Sequence, residues 1–173
     1  MGFDVYGREP IVDSPKPTKP DNWDEMSGEE QYEWRKKYIF PWQEKNPGDY
    51  FRASMWSWRP LWEIMEKTCS SILGEEMLSS LCYNDGAGPE DQGTCDEMAD
   101  AIVEFLQDSE WLGKSGYTIS SNCRVKQNGE LVCLSELDDE NLWHETRSAY
   151  GIEISHILEW CRFLRKCGGF QAW

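Results

Sequence analysis

Five residues of this chain combine the side-chain types that hold a flat or anionic ligand: Arg52, Trp58, Arg59, Asn84 and Asp85. A tryptophan ring offers a broad apolar face, and a guanidinium group binds anions through several N–H donors. An asparagine amide both donates and accepts hydrogen bonds. Loops commonly carry such groups on a rigid scaffold. These five residues are therefore the predicted binding residues for an anionic or nucleotide-like molecule.

The tryptophan in this set, Trp58, has a second interpretation that it shares with the neighbouring tryptophans. The stretch Trp56-Ser-Trp-Arg-Pro-Leu-Trp62 is the densest aromatic cluster of the chain. Aromatic side chains at the entry to a helix usually pack in the core, since each buries on the order of 150–250 Å². The core interpretation is favoured for this cluster, and the ligand-binding interpretation stays open beside it.

Metal-binding and catalytic motifs are incomplete. His144-Glu145 begins the H-E-x-x-H motif of zinc proteases, but Ser148 stands where the second histidine belongs. A calcium-binding loop from Asp85 fails because Glu90 occupies the position that requires glycine. The seven cysteines lack the close pairs typical of zinc sites; they are Cys69, Cys82, Cys95, Cys123, Cys133, Cys161 and Cys167. The sequence predicts no catalytic residue, no metal ion and no cofactor.

Short strands must help to position the predicted ligand residues. The predicted strands are residues 2–6, 50–52, 117–119 and the two sides of a hairpin over 123–133. Asn128-Gly129 is the favoured two-residue turn for such a hairpin. Cys123 and Cys133 then lie nearly opposite each other, and the sequence leaves open whether they interact.

Capping signals and apolar spacing predict the helices, which begin near Ser27, Pro60, Glu75, Thr94, Ser135 and Ile154. Pro41 is predicted to end the first of these helices, and Gly74 to end the second. The predicted fold is α+β, with four or five helices packed on a small antiparallel sheet in a single domain, 1–173. The predicted core contains Phe3, Phe51, Trp62, Met65, Ile102, Leu106, Ile157, Leu158 and Leu164.

The charge balance limits the kinds of partner. Seventeen basic and 32 acidic residues give a net charge of −15. Such a surface repels nucleic-acid phosphates and anionic membranes and favours a protein with a basic surface. The start Met1-Gly2-Phe3-Asp4 lacks the apolar region of a signal peptide, and no run approaches the ~20 apolar residues of a membrane span. These features predict a cytoplasmic protein with reduced cysteines.

Four patches of the sequence resemble a family of small bacteriophage and bacterial proteins for which no function is established. The patches are Met1-Gly-Phe-Asp-Val-Tyr-Gly7, Gly48-Asp-Tyr-Phe-Arg52 with Trp56-Ser-Trp-Arg-Pro-Leu-Trp62, Tyr83-Asn-Asp-Gly-Ala-Gly88 and Phe163-Leu-Arg-Lys-Cys-Gly-Gly-Phe170. Against that family, residues 8–46 resemble an insertion, a proline-rich loop followed by a helix. Some relatives carry C-x-x-C zinc-ribbon pairs near the 123–133 hairpin, and this chain lacks them.

Three functions are compatible with these observations. The resemblance and the charge favour a phage-type accessory protein that binds and modulates a host or defence protein in the host cytoplasm. A small-molecule binding protein or enzyme that uses the Trp/Arg cluster and the Asn-Asp-Gly loop is the alternative. A virion component whose proline-rich arm wraps a neighbour is the third, and only residues 8–24 favour it.

Overall fold

The computed structural model describes residues 2–107, 118–119, 123–125, 131–133 and 151–173. In chain order its elements are β1 (Gly2–Gly7), a 3₁₀ turn (Trp23–Glu25), α1 (Gly28–Trp34), a π-helical turn (Arg35–Ile39), α2 (Phe40–Lys45), β2 (Tyr50–Ser54), α3 (Met55–Ser80), α4 (Gln92–Gln107), β3 (Thr118–Ile119), β4 (Cys123–Val125), β5 (Leu131–Cys133), β6 (Gly151–Ile152), α5 (Ile154–Leu164) and β7 (Phe170–Ala172). The predicted α+β class, helices on a small antiparallel sheet, is confirmed.

The main sheet is antiparallel with strand order β2-β1-β7. The alternation of β1 turns Phe3 and Val5 inward, where they are buried beside Phe51 and Ala53 of β2. Strands at 2–6 and 50–52 are therefore confirmed. The three residues of β7 were not expected, because so short a segment shows no alternation of its own.

The predicted strands at 117–119 and in the 123–133 hairpin lie outside this sheet. The expectation that all predicted strands form one sheet is therefore wrong. β3 pairs in parallel with β6, and β4 pairs with β5 as a separate hairpin in which Cys123 is opposite Cys133. The predicted Asn128-Gly129 turn and the predicted helix over 135–147 fall outside the described residues.

The core is organised by aromatic rings from distant parts of the chain. The Trp160 ring lies 5.0 Å from Phe51, 5.7 Å from Trp58, 5.3 Å from Phe163 and 5.2 Å from Phe170, between ring centroids. Of the predicted core residues, Trp62 is only partly buried, and the rest are buried as expected: Phe3, Phe51, Met65, Ile102, Leu106, Ile157, Leu158 and Leu164.

Helix α3 is interrupted at Gly74, where the sequence predicts a helix end, and the chain folds back there. Gly74 has φ 75° and ψ 163°, a region essentially restricted to glycine. The indole N–H of Trp58 donates to the Leu81 carbonyl at 2.9 Å, and that of Trp62 donates to the Leu78 carbonyl at 2.7 Å. These two bonds hold the segment after Gly74 against the start of the helix.

The start of α3 differs from the prediction. The helix begins at Met55 rather than at Pro60, because the Ser54 side chain accepts a hydrogen bond from the Ser57 backbone N–H and caps it earlier. Helix α4 likewise begins at Gln92 instead of Thr94. Both the backbone N–H and the hydroxyl of Thr94 donate to the Asp91 carboxylate, which makes Asp91 the capping residue.

Residues 28–45, which follow β1 and precede β2 in the sequence, form a helical arm. The predicted capping box of Ser27 and Glu30 is present at its start. The predicted end at Pro41 is wrong, because the chain continues through the π-helical turn and Pro41 falls in the first turn of α2, where a missing N–H costs little. Trp42 anchors the arm: its indole N–H donates to the Ser14 carbonyl at 3.0 Å, and its ring is buried.

Replacement of Gly74 tests the reversal in α3. Gly74→Ala meets no atom within 4 Å, but an alanine at φ 75° and ψ 163° is strained. We expect a loss of about 1–3 kcal/mol in the free energy of unfolding, measured by urea titration. Gly28→Ala is the matched control, since its new methyl group also meets nothing within 4 Å and its φ is not positive. Equal effects of both substitutions would contradict this account of the reversal.

A second prediction compares two buried tryptophans. Trp58 donates to the Leu81 carbonyl, whereas the buried Trp160 N–H has no hydrogen-bond partner within the part of the chain that the structure describes. Both Trp→Phe variants lose packing, but only Trp58→Phe also removes a buried hydrogen bond. We expect Trp58→Phe to lower the free energy of unfolding by about 1–3 kcal/mol more than Trp160→Phe. An equal or smaller loss at Trp58 would show that this bond contributes little.

Candidate functional site

A cleft of about 430 Å³ opens beside the start of α3. It lies between the beginning of β1, the first two turns of α3 and the turn that follows α3. Ten residues line it: Gly2, Phe3, Met55, Trp58, Arg59, Trp62, Glu63, Cys82, Tyr83 and Asn84. The Gly74 reversal is what brings the last three of these beside the first turns of α3.

The apolar wall of the cleft consists of ring faces and edges. Phe3 and Trp58 are stacked with ring centroids 4.6 Å apart and planes 13° from parallel, and Trp58 is 1% exposed. Trp62 is partly buried and stands one helical turn further along α3. Both indole N–H groups are already bonded to backbone carbonyls. Neither indole N–H is therefore available to a ligand. Trp62 presents part of its ring surface to the cleft, whereas Trp58 lies within the core behind it.

The polar groups of the cleft come from the same helix and from the turn after it. Arg59 and Glu63 are four residues apart on α3, a spacing that places both on one face. Asn84 and Tyr83 are exposed at the opposite side. A cation, a carboxylate, a phenol and an amide thus border one apolar surface.

Cys82 adds an exposed thiol to this border. Partial burial raises the pKa of the Cys82 thiol above its ordinary value. The negative charge of Glu66 raises that pKa further, and the positive charge of Arg59 lowers it. The thiol is therefore mostly protonated at neutral pH.

Three of the five predicted ligand residues meet at this cleft: Trp58, Arg59 and Asn84. Arg52 lies instead on the outer face of the sheet, where its Nε is 3.8 Å from an oxygen of Asp4. Asp85 accepts a hydrogen bond from the Ala87 N–H at 3.3 Å within its own turn. Neither Arg52 nor Asp85 is among the lining residues.

The core interpretation of the tryptophan cluster holds for Trp58, which is fully buried, and fails for Trp56, which is 63% exposed. Sequence reasoning placed Trp62 in the predicted core, left a ligand-binding interpretation open for its cluster, and missed Glu63, Cys82 and Tyr83 as lining residues. The four-residue spacing from Trp58 to Trp62 and from Arg59 to Glu63 was the available signal. It could not show that the chain after Gly74 returns to the same place.

The loop Asn84-Asp85-Gly86 packs against the C-terminal strand. Gly86 has φ 90°, and its N–H donates to the Ala172 carbonyl at 2.8 Å. A β-carbon at Gly86 would stand 2.7 Å from the Trp173 ring. Ala87 bridges to Ala172 and so covers the outer edge of β7. The glycine at position 86 therefore serves the contact between this loop and the C-terminal strand.

A second polar group lies on the outer face of the sheet. The Tyr50 hydroxyl donates a hydrogen bond to the Asp4 carboxylate, and Arg52 stands beside them. Burial and the negative Asp4 raise the pKa of Tyr50 above its ordinary value. Because these groups are occupied with one another across paired strands, we assign them to holding β1 and β2 in register.

Neither a cluster of metal ligands nor a membrane-spanning helix occurs in the part of the chain that the structure describes. There, no three His, Cys, Asp or Glu side chains lie close enough to hold a metal ion. None of the helices described is both long and apolar enough to cross a bilayer. Comparison with known protein families, with curated proteins and with solved structures yields no match. The resemblance to the phage and bacterial family stays a prediction.

The reactivity of Cys82 tests the electrostatics of the cleft. Cys69, Cys95, Cys161 and Cys167 are buried, so we expect iodoacetamide to modify Cys82 roughly ten-fold or more faster than these four, as followed by peptide mapping. The raised pKa predicts a rate that is still rising above pH 9. Glu66→Gln should speed the reaction and Arg59→Gln should slow it, because these charges shift the pKa in opposite directions. Shifts of the same sign in both variants would contradict the assignment.

Proposed function

We propose that this chain is a binding protein for a flat heteroaromatic ligand that carries an anionic group. The observation that carries the proposal is the meeting of Trp58, Trp62, Arg59 and Asn84 around one cleft. Its volume of about 430 Å³ falls within the ~300–1,000 Å³ typical of small-molecule pockets.

The lining groups match the parts of such a ligand. A ring can lie on the exposed surface of Trp62, and the Arg59 guanidinium attracts the anionic group. The Asn84 amide presents a donor and an acceptor, which suits the edge of a heterocycle. Glu63 can accept a hydrogen bond from a ring amine. Nucleotides and aromatic carboxylates or sulfonates share this chemistry.

The cleft supports binding better than catalysis. Its ten described lining residues include neither histidine nor serine, so they offer no Ser–His or Cys–His pair for nucleophilic chemistry. The single thiol, Cys82, has a raised pKa and is a poorer nucleophile at neutral pH for that reason.

A second candidate function is binding to a protein with a basic surface, as a phage-type accessory protein in the cytoplasm. The net charge of −15 supports it, as do the exposed carboxylates of Glu75 and Glu76 on α3 and of Glu97, Asp100 and Glu104 on α4. A partner bound through this charge should dissociate as the salt concentration rises from about 0.05 to 0.5 M. Capture that does not change with salt would count against an electrostatic partner.

The cleft proposal is tested with two probes, anilinonaphthalene sulfonate and adenosine monophosphate. We expect micromolar to millimolar binding by calorimetry and protection of Cys82 from iodoacetamide. Arg59→Gln should weaken binding about ten-fold, since a charge-assisted contact is worth on the order of 1.5–3 kcal/mol. Arg52→Gln removes an equal charge outside the cleft and should change nothing.

Two results would overturn the ligand-binding proposal. One is that neither probe binds the folded protein or protects Cys82. The other is that Arg52→Gln weakens binding as much as Arg59→Gln does, which would indicate a general charge effect rather than a site.

A further inference from the structure

Two cysteine side chains from distant parts of the chain meet in the core. Cys95 lies in the first turn of α4, and Cys167 lies in the turn between α5 and β7. Both residues are fully buried, and both thiols are free. A hydrogen bond joins the two side chains. The fold creates this pair, because the two positions are far apart in the sequence and form no local motif such as C-x-x-C.

Gln92, one helical turn before Cys95, holds the two elements together. Its side-chain amide donates to the Leu164 carbonyl at 2.8 Å and accepts from the Gly168 N–H at 2.7 Å. The Cys167 sulfur lies 3.3 Å from the same Leu164 carbonyl oxygen. Neighbouring residues on both elements therefore keep the two sulfur atoms beside each other.

The two thiols differ in acidity. The hydrogen bond from Cys167 lowers the pKa of the Cys95 thiol below its ordinary value; burial opposes this shift, and the Gly169 N–H adds to it. The carboxylates of Asp91 and Asp96 also oppose it. The same hydrogen bond, together with burial, raises the pKa of Cys167. The N-terminal end of a helix favours a thiolate as well. Cys95 is therefore the nucleophile of the pair, and Cys167 is its proton donor.

Two other cysteines show that burial alone does not produce this chemistry. Cys69 and Cys161 are also buried, and burial raises the pKa of both thiols, to about 12 for Cys161. The Cys69 sulfur lies 3.2 Å from the Thr68 hydroxyl oxygen. Both thiols stay protonated at neutral pH and serve as small apolar side chains.

We propose that Cys95 and Cys167 are a redox-active pair, which a hydroperoxide oxidises to an intrachain disulfide and a thiol reductant restores. The Cys95 thiolate attacks one oxygen of hydrogen peroxide, which breaks the O–O bond, leaves a sulfenic acid on Cys95 and releases hydroxide. The Cys167 sulfur then loses its proton and attacks the Cys95 sulfur, so that the sulfenic hydroxyl leaves as water. In sum, two thiols and one peroxide give one disulfide and two water molecules.

The disulfide joins the first turn of α4 to the segment that precedes β7. Cys167 lies in a turn, where the backbone can adjust as the sulfur atoms approach to a bond length of about 2.05 Å. The bond closes a loop over residues 95–167, and such a cross-link restricts the unfolded chain. The oxidised protein should therefore be the more stable form. This inference concerns α4 and the end of the chain, and it does not rest on the proposed ligand of the cleft.

Peroxide treatment of the folded full-length chain tests the inference. The reduced protein is exposed to hydrogen peroxide, the remaining thiols are blocked with iodoacetamide in urea, and unreduced peptides are mapped by mass spectrometry. A peptide linked through Cys95 and Cys167 should form at least about ten-fold faster than any oxidation product of Cys69 or Cys161. Dithiothreitol should remove the link. Oxidation should raise the midpoint of thermal unfolding by about 5–15 °C.

Serine variants, each combined with Cys82→Ser to prevent disulfides between molecules, separate the two roles. Cys167→Ser keeps a hydroxyl donor beside Cys95 but forms no disulfide, so Cys95 should stop at the sulfenic acid, which dimedone traps. Cys95→Ser removes the nucleophile and should leave Cys167 a free thiol. Cys161→Ser is the matched control, since it replaces another buried cysteine and should leave the rate of disulfide formation unchanged. Circular dichroism confirms that each variant keeps its helices.

Three results would overturn the inference. In the first, Cys95 and Cys167 both remain thiols while peroxide oxidises Cys82, which would make the pair a packing contact alone. In the second, the linked peptide appears only when the protein is unfolded in urea during oxidation. In the third, dimedone labels Cys167 in the Cys95→Ser variant as fast as it labels Cys95 in the Cys167→Ser variant, so that the two thiols have no distinct roles.

Discussion

The packing of Trp160 against rings from distant elements is the interaction on which the described structure depends. Phe51 reaches it from β2, Trp58 from α3 and Phe170 from β7. Phe51 and Trp58 lie more than a hundred positions before Trp160, so these contacts form only when β2 and the start of α3 have come together with α5 and β7. Aromatic rings suit this task because each provides a large apolar surface from a single residue. One cluster thereby holds the sheet and two of the helices.

The cleft is a consequence of the same packing. Trp58 stacks on Phe3 inside the core, and both residues line the cleft, so its inner wall consists of core side chains. The bond from Trp62 to Leu78 holds the other wall. A site whose walls are also core residues has little freedom to collapse, which favours a preformed shape for a ligand.

The arm differs from the rest of the described chain because most of its aromatic side chains lie outside the core. Trp42 is its only buried residue, and it anchors the arm at the end nearest β2. A segment held at one end can be added to a fold at little cost to the core.

Local signals in the sequence determined several features by themselves: the capping box of Ser27 and Glu30, the break at Gly74 and the alternation of β1. Each acts within a few residues, so the sequence contains the whole cause. Trp58 and Arg59 were also predicted to share one site, although the helix that carries them was predicted to begin only at Pro60. Only the tertiary structure decided that Asn84 returns to that site, that Arg52 lies on the other side of the sheet and that residues 170–172 form a strand. Those positions depend on contacts with residues far along the chain. A local sequence pattern does not specify which distant backbone or ring a residue will contact.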